Sequence, residues 1–417
     1  MRIGLVGAGA RGFYYAKFAQ DVLGYDIVAV ADINKEKLEC ASSVFNIPEA
    51  GCFSDGLDLI KAPVQIDALI IASLDKDHYK QTMAALDRGW DILLEKPISP
   101  DLKECLDICA KAEAKNCGVT VCHVLRYTPF FVKLKDIIDS QSLGKIVTIN
   151  HTENIGNYHM AHSFVRGNWR KSSETSPLIM AKSCHDLDIL YWLTGSSARR
   201  ISSFGDLSYF RAENAPEGSA DRCLDCCIAE KCRFDVQKAY LPAMGGWPAT
   251  VLTLDQSKEG LMQAFRDGLY GRCVFKCDND VCDHQSTIIE FESGVTATFT
   301  LSGMTNLVTR TIHIMCEDGE IHGDTEKGEI LITRFRPNNY ETYQQELINI
   351  GAVFGGHGGG DVKLMQDFAV NLTTKSTAES RSSISKSIES HLMACAAEES
   401  RVTGKTIDLK EYKARFS

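Results

Sequence analysis

Three glycines in the run Gly7-Ala8-Gly9-Ala10-Arg11-Gly12 follow a strand-length apolar segment and open a helical one. Glycines at this spacing suit the binding of a pyrophosphate. Gly7 permits a tight turn, Gly9 lets the backbone approach the phosphates, and Gly12 lets helix and strand pack closely. The free N–H groups of the helix start, from Ala10 onward, then face phosphate oxygens. Arg11 either pairs with a phosphate or stays solvated. Twenty residues beyond Gly12, Asp32 ends the second apolar run. A carboxylate there accepts hydrogen bonds from both ribose hydroxyls of an adenosine and repels a 2′-phosphate, which favours NAD over NADP. Without those flanks the motif would be a plain strand–helix turn and Asp32 a helix cap.

A second constellation is made of thiols. Cys223-x2-Cys226-x5-Cys232, with Cys273 or Cys277 some forty residues later, is denser than packing alone requires. Thiolates two residues apart on a turn can share a tetrahedral ion, and a weakly periodic loop gains folding energy when zinc clamps it. The expectation is a structural zinc on Cys223, Cys226, Cys232 and Cys273. Free thiols are the alternative, and an iron–sulfur cluster a weaker one, because nothing else in the chain points to electron transfer.

The elements around these residues have a readable order. The first third alternates short β-rich runs (Arg2–Val6, Ile27–Ala31, Ala68–Ala72, Ile92–Glu95, Val119–Cys122) with amphipathic segments. That alternation predicts βαβ units and a doubly wound parallel Rossmann sheet over residues 1–122. From 123 to 417 the pattern changes. Helices are expected near Pro129–Asp139, Pro177–Leu193, Asp361–Asn371 and Ala378–Thr403, together with hairpins turning at Ser293-Gly294 and Asp318-Gly319. The second domain is therefore predicted to be α+β with a mostly antiparallel sheet, carrying a cysteine-rich insertion near 213–282.

Composition sets outer bounds. The net charge of −10 argues against a nucleic-acid or anionic-membrane partner. No apolar stretch approaches the ~20 residues that span a bilayer, and no secretory signal is seen at the N-terminus. Sixteen cysteines then suit free thiols in a reducing cytoplasm, most of them small core residues.

Glu95-Lys96-Pro97 ends the fourth of these strands, and with Ser73-Leu74-Asp75-Lys76-Asp77-His78 and Lys182-Ser-Cys-His185-Asp-Leu-Asp188 it closely resembles the Gfo/Idh/MocA oxidoreductases over nearly the whole chain. Leu74 departs from the family's proline. Lys96, at the carboxyl end of a parallel strand, faces the ligand crevice of such a sheet. Its ammonium could hydrogen-bond both the reacting hydroxyl and the nicotinamide ribose. The resemblance implies that Ser73, Leu74, His78, Glu95 and Arg126 lie along the cofactor, and that His185 is the acid–base group of its helix. An aspartate usually stands four residues before that histidine. Here the position is Ala181, and Lys182 is expected to take over part of the role, favouring an anionic or carbonyl-bearing substrate.

Tyr127, His159, Arg166, Trp169 and His357 join Lys182 and His185 as candidate sugar contacts, aromatics and donors being what a pyranose requires. The expected reaction is hydride transfer from a secondary alcohol of a sugar, glycoside or polyol, with C3 of a pyranose preferred, in a homo-oligomer. Two alternatives stay open. Some relatives oxidise only transiently to eliminate a glycoside bond, and a non-catalytic dinucleotide sensor would explain the aspartate missing at 181.

Overall fold

The structure is a computed structural model describing residues 1–338, 343–351, 356–374 and 380–416, with only the backbone at 356 and 357. Six parallel strands form the first sheet: β1 (Arg2–Val6), β2 (Asp26–Ala31), β3 (Cys52–Phe53), β4 (Ala68–Ile71), β5 (Asp91–Leu94) and β6 (Val119–Val121). Their spatial order is β3-β2-β1-β4-β5-β6, so the crevice opens where β1 and β4 part in opposite directions. The central strands are almost wholly apolar because helices cover both faces: Leu5, Ile70, Leu93 and their neighbours are buried. The two-residue β3 is too short to show a period and was not anticipated.

Nine strands form the second sheet: β7 (Ile146–Asn154), β8 (Ala198–Asp206), β9 (His284–Phe291), β10 (Thr296–Ser302), β11 (Thr309–Cys316), β12 (Gly319–Asp324), β13 (Glu329–Arg334), β14 (Gln344–Asn349) and β15 (Ile407–Asp408). The order is β14-β13-β12-β11-β7-β10-β9-β8-β15. Pairing is antiparallel except between β7 and β10. The expected hairpins are present, and Gly294 takes the left-handed conformation its turn requires (φ +86°). One face packs inward through Ile149, Phe299, Ile289 and Ile314. The other is open and leaves Phe204, Ile288 and Leu347 about half exposed or more.

The helices used below are α1 (Ala10–Asp21), α2 (Leu178–Ala181), α3 (Cys184–Thr194), α4 (Gly360–Thr374) and α5 (Ile384–Thr403). The single helix expected over Pro177–Leu193 is thus two: the N–H groups of Lys182 and Ser183 still bond four residues back, but Ser183 departs from helical geometry (φ −98°, ψ 6°) and caps α3. The chain's end returns to the first domain: Leu364, Met365 and Phe368 of α4 share a core with Tyr15 and Ala16 of α1, and the Val121 N–H donates to the Ser382 carbonyl. The cysteine-rich insertion is more than a loop, since Val236, Tyr240, Leu261 and Phe265 close a small apolar core with Cys223. Among the described residues no helix is long and apolar enough to cross a membrane.

Candidate active site

The glycine turn has the shape a pyrophosphate requires. Gly7 has φ +87°, and a Cβ there would fall 2.4 Å from the Ala72 carbonyl oxygen. A Cβ on Gly12 would lie 2.0 Å from the Gly7 carbonyl oxygen, whereas one on Gly9 would meet nothing within 4 Å. Gly7 and Gly12 are therefore demanded by the protein's own packing, and Gly9 borders open space. No side chain caps α1, so its first N–H groups are available to an anion. Asp32 accepts from the Ala8 N–H at 2.7 Å and the Asn34 N–H at 2.8 Å, which fixes the carboxylate at the mouth of the turn with lone pairs to spare. Ile33 beside it is 84% exposed, an apolar surface suited to an adenine face that sequence reading passed over. These residues fit a dinucleotide. Asp32→Asn keeps the acceptor for Ala8 and removes the charge, so the ratio of kcat/KM for NAD over NADP should fall by about tenfold or more. An unchanged ratio would remove Asp32 from cofactor choice.

Arg11 is partly exposed, and its guanidinium is engaged within the protein. It lies 2.9 Å from Glu95 and forms a forked pair with Asp361 of α4, locking the C-terminal helix onto the glycine turn. Burial pushes the Glu95 carboxyl up, but the charges of Arg11 and Lys96 outweigh it and hold the acid below its usual range. Glu95 also accepts from the Lys96 N–H at 2.9 Å and the Tyr15 hydroxyl at 3.0 Å. It is a buried anchor for the strand end that carries Lys96.

Lys96 points out of the first domain into the second. Its ammonium donates to the Ala181 carbonyl at 2.8 Å, just before the break between α2 and α3 that carries Lys182. His185 follows in the first turn of α3, buried and edge-on to His123 with ring centroids 5.6 Å apart. The inner face of the second sheet meets this break with charged groups that the sequence did not suggest. Arg310 of β11 lies 2.6 Å from Glu153 of β7, its cross-strand partner, and 2.8 Å from Asp186. Lys182 lies 3.3 Å from Glu153, and His151 lies 2.9 Å from Asp186. Burial lowers the Lys182 pKa, with Arg310 and Lys96 adding to that and Glu153 opposing it. Burial pushes Asp186 up, and Arg310 with His151 more than offsets this, taking it to about 2.

Asp75 completes the wall from the dinucleotide side. It is buried, accepts from Ser176 at 2.6 Å and from the Trp169 indole N–H at 3.3 Å, and so holds Trp169 against the interdomain cleft. At this break Lys182 and Arg310 are thus paired with Glu153 and Asp186, and the Lys96 ammonium meets a backbone carbonyl. Lys182, expected to take over part of the role of the aspartate absent at Ala181, is held by Glu153, a carboxylate from another strand.

Several expected contacts are internal instead. Arg126 is buried and donates to both oxygens of Asp188 at 2.6 and 2.7 Å, so its fork is spent on α3. The Tyr127 hydroxyl is buried against Asp367 and Ser382. The His78 ring is fully buried between the Pro97 and Ser73 carbonyls, tying the Lys96 loop to the neighbouring one. Ser73 donates to Gln81, and Leu74 is partly exposed. Arg166 is buried in the insertion, bonded to the carbonyls of Arg272 and Phe234. His159 packs edge-on to Trp247 at 5.1 Å, at the insertion's edge. The side chain of His357 lies outside the described residues.

Neutral histidines are buried in two places, His123 against His391 and His162 against Tyr240 and Tyr270. The Ile98 N–H donates to His391 at 2.8 Å, and burial pushes His391 down to about 3. Burial also lowers His123, and takes His162 to about 4. These groups stay uncharged in the fold, whereas the unfolded chain takes up their protons near pH 6.5. Their stabilisation is complete above that pH and is lost as pH falls toward the folded values. The urea midpoint should drop between pH 7 and 5, and His391→Gln, which keeps an acceptor for Ile98, should flatten the drop. Identical slopes in both proteins would contradict this.

Comparison with known proteins agrees with the geometry. Residues 1–123 match the family model described as an oxidoreductase family, NAD-binding Rossmann fold, and residues 135–409 match its C-terminal alpha/beta domain. The protein YteT of Bacillus subtilis (strain 168) is 24% identical over 82% of either chain. Inositol 2-dehydrogenase 4 of Saccharopolyspora erythraea is 30% identical over 53% of this chain and 61% of its own length. A levoglucosan dehydrogenase solved with NADH and levoglucosan superposes with a TM-score of 0.70 over 98% of this chain and 99% of that one, at 18% identity, which speaks for the fold alone.

Proposed function

This chain belongs to the Gfo/Idh/MocA oxidoreductase family, and from that premise we propose that it is an NAD-dependent dehydrogenase acting on a secondary alcohol of a neutral sugar, glycoside or cyclitol. The observation that supports the reading is the 2.8 Å bond from the Lys96 ammonium to the Ala181 carbonyl, at the α2–α3 break whose next residues are Lys182 and, in α3, His185. NAD, when bound, supplies the hydride acceptor. His185 accepts the hydroxyl proton, and the Lys96 ammonium hydrogen-bonds the same oxygen, stabilising the charge that builds as the carbonyl forms. Glu153 and Arg310 keep Lys182 and Asp186 in place.

The pairing of Lys182 and Arg310 with Glu153 and Asp186 favours a neutral polyol over a carboxylate or phosphate, because an anion would have to compete with those carboxylates for the same cations. The likeness to an inositol 2-dehydrogenase supports the same class of substrate. A panel of cyclitols, pyranoses and glycosides, with sugar acids and sugar phosphates for contrast, followed by NADH appearance, tests this. Turnover confined to the acids or phosphates would overturn it.

We read the protein as cytoplasmic, since a content of sixteen cysteines suits thiols in a reducing compartment. We also read it as self-associating through the open face of the second sheet, where Phe204 and Ile288 are exposed.

A further inference from the structure

The cysteine-rich insertion plays no part in hydride transfer, yet it gathers its thiols in one place. An antiparallel bridge between Arg222 and Arg272, with the Cys273 N–H donating to the Asp221 carbonyl, lays the Cys273 strand beside the Cys223 turn. The next turns bring in Cys226 and Cys232, each closed by a backbone hydrogen bond three residues back. The four sulfur-bearing residues line one cavity of about 20 Å³, room for a single water or ion. Seven cysteines occur in this stretch, and the cavity sorts them: Cys227 turns out to bond the Gly218 carbonyl, Cys277 bonds the Cys273 carbonyl, and Cys282 lies outside the lining.

Two polar groups at the cavity call for a charged occupant. Arg166, 1% exposed, directs one N–H to the Cys223 sulfur at 3.2 Å and others to two carbonyls, and among the described residues no carboxylate pairs with it. A buried guanidinium without a counter-charge is costly. One Asp235 oxygen caps the helix Val236–Tyr240, while the other is buried with no hydrogen-bond partner among the described residues. Neutral thiols leave the Arg166 guanidinium without a counter-charge.

We propose that Cys223, Cys226, Cys232 and Cys273 bind one zinc ion as thiolates, with Arg166 as the buried cation that offsets their charge. Binding releases four protons and leaves a zinc–tetrathiolate of net charge −2, with no change of oxidation state. Zinc–sulfur bonds of about 2.3 Å place sulfurs about 3.8 Å apart. Here no three of them lie within 4.8 Å of one another, so binding draws them inward; among the described residues the one trio that does so is His313, Glu320 and His322 on the sheet's open face. The ion also has a consequence for the neighbouring site. Arg166 ends the segment that carries His159 and His162, and His162 stacks on Tyr270 and reaches the Tyr240 hydroxyl in the insertion. The zinc would thereby hold the insertion, with Trp247, against that segment.

Elemental analysis of the full-length protein purified under reducing conditions decides the matter. The expected result is about one zinc per chain, retained in His313→Ala/His322→Ala and lost from Cys223→Ser/Cys232→Ser. Those variants could fail to fold, so the wild-type protein carries a second readout. Cobalt exchange should produce an intense sulfur-to-cobalt charge-transfer band, and an organomercurial that blocks thiols should release the ion stoichiometrically. Less than about half an equivalent of metal together with no cobalt–thiolate band would overturn the proposal. So would iron with acid-labile sulfide, or loss of the metal from the histidine variant.

Discussion

Lys96→Met should lower kcat by about 10²- to 10⁴-fold, the range expected when a group that assists proton transfer and charge development is removed. NAD affinity, read from quenching of intrinsic fluorescence, should change by no more than about tenfold. The split follows from the geometry: the ammonium reaches across to the Ala181 carbonyl at 2.8 Å, while the glycine turn and Asp32 are untouched by the change. Methionine keeps an apolar stem of similar length, so the fold should survive. Retained kcat would mean that Lys96 serves only to pin the α2–α3 break to the first domain.

The second large effect is on stability. Arg310→Met should cost about 3–5 kcal/mol, read as a fall in the urea midpoint, because it strips the guanidinium from two carboxylates with no exposed side-chain surface. Glu153 would keep only Lys182, and Asp186 only His151. Arg310→Lys should recover part of the loss, since a point charge replaces the fork that spans both acids. A loss below about 1 kcal/mol would show that water or rearrangement compensates the acids, and the charged wall would then be softer than the packing indicates.

The dinucleotide half of this site was legible because its signals are local. A glycine triplet, a strand on one side and an acid twenty residues on each follow from short-range backbone demands, and Gly7 and Gly12 are required by contacts within that turn and with the adjoining strand. Lys96 and His185 were reached through family resemblance, whereas their supporting groups were not. Glu153 and Arg310 sit in ordinary alternating strands 157 residues apart, and nothing in either strand announces that sheet pairing sets them side by side. Arg126 and Tyr127 misled for the opposite reason. Polar residues after a strand at the crevice look like ligand contacts, but Asp188 and Asp367 arrive from distant helices to occupy them. The helix over 177–193 looked continuous because its apolar pattern runs on through Lys182 and Ser183, and only the structure reveals the break that turns Ala181's carbonyl toward Lys96.

Deuterium transfer tests the central claim most directly. With a cyclitol or pyranose found active in the panel and labelled at its reacting ring carbon, one deuteron per carbonyl product should appear in the reduced nicotinamide isolated from the reaction. Labelled substrate that yields a freed aglycone with its deuterium returned to the sugar and no net NADH, or reduced nicotinamide without the label, would contradict a dehydrogenase that takes hydride from that carbon.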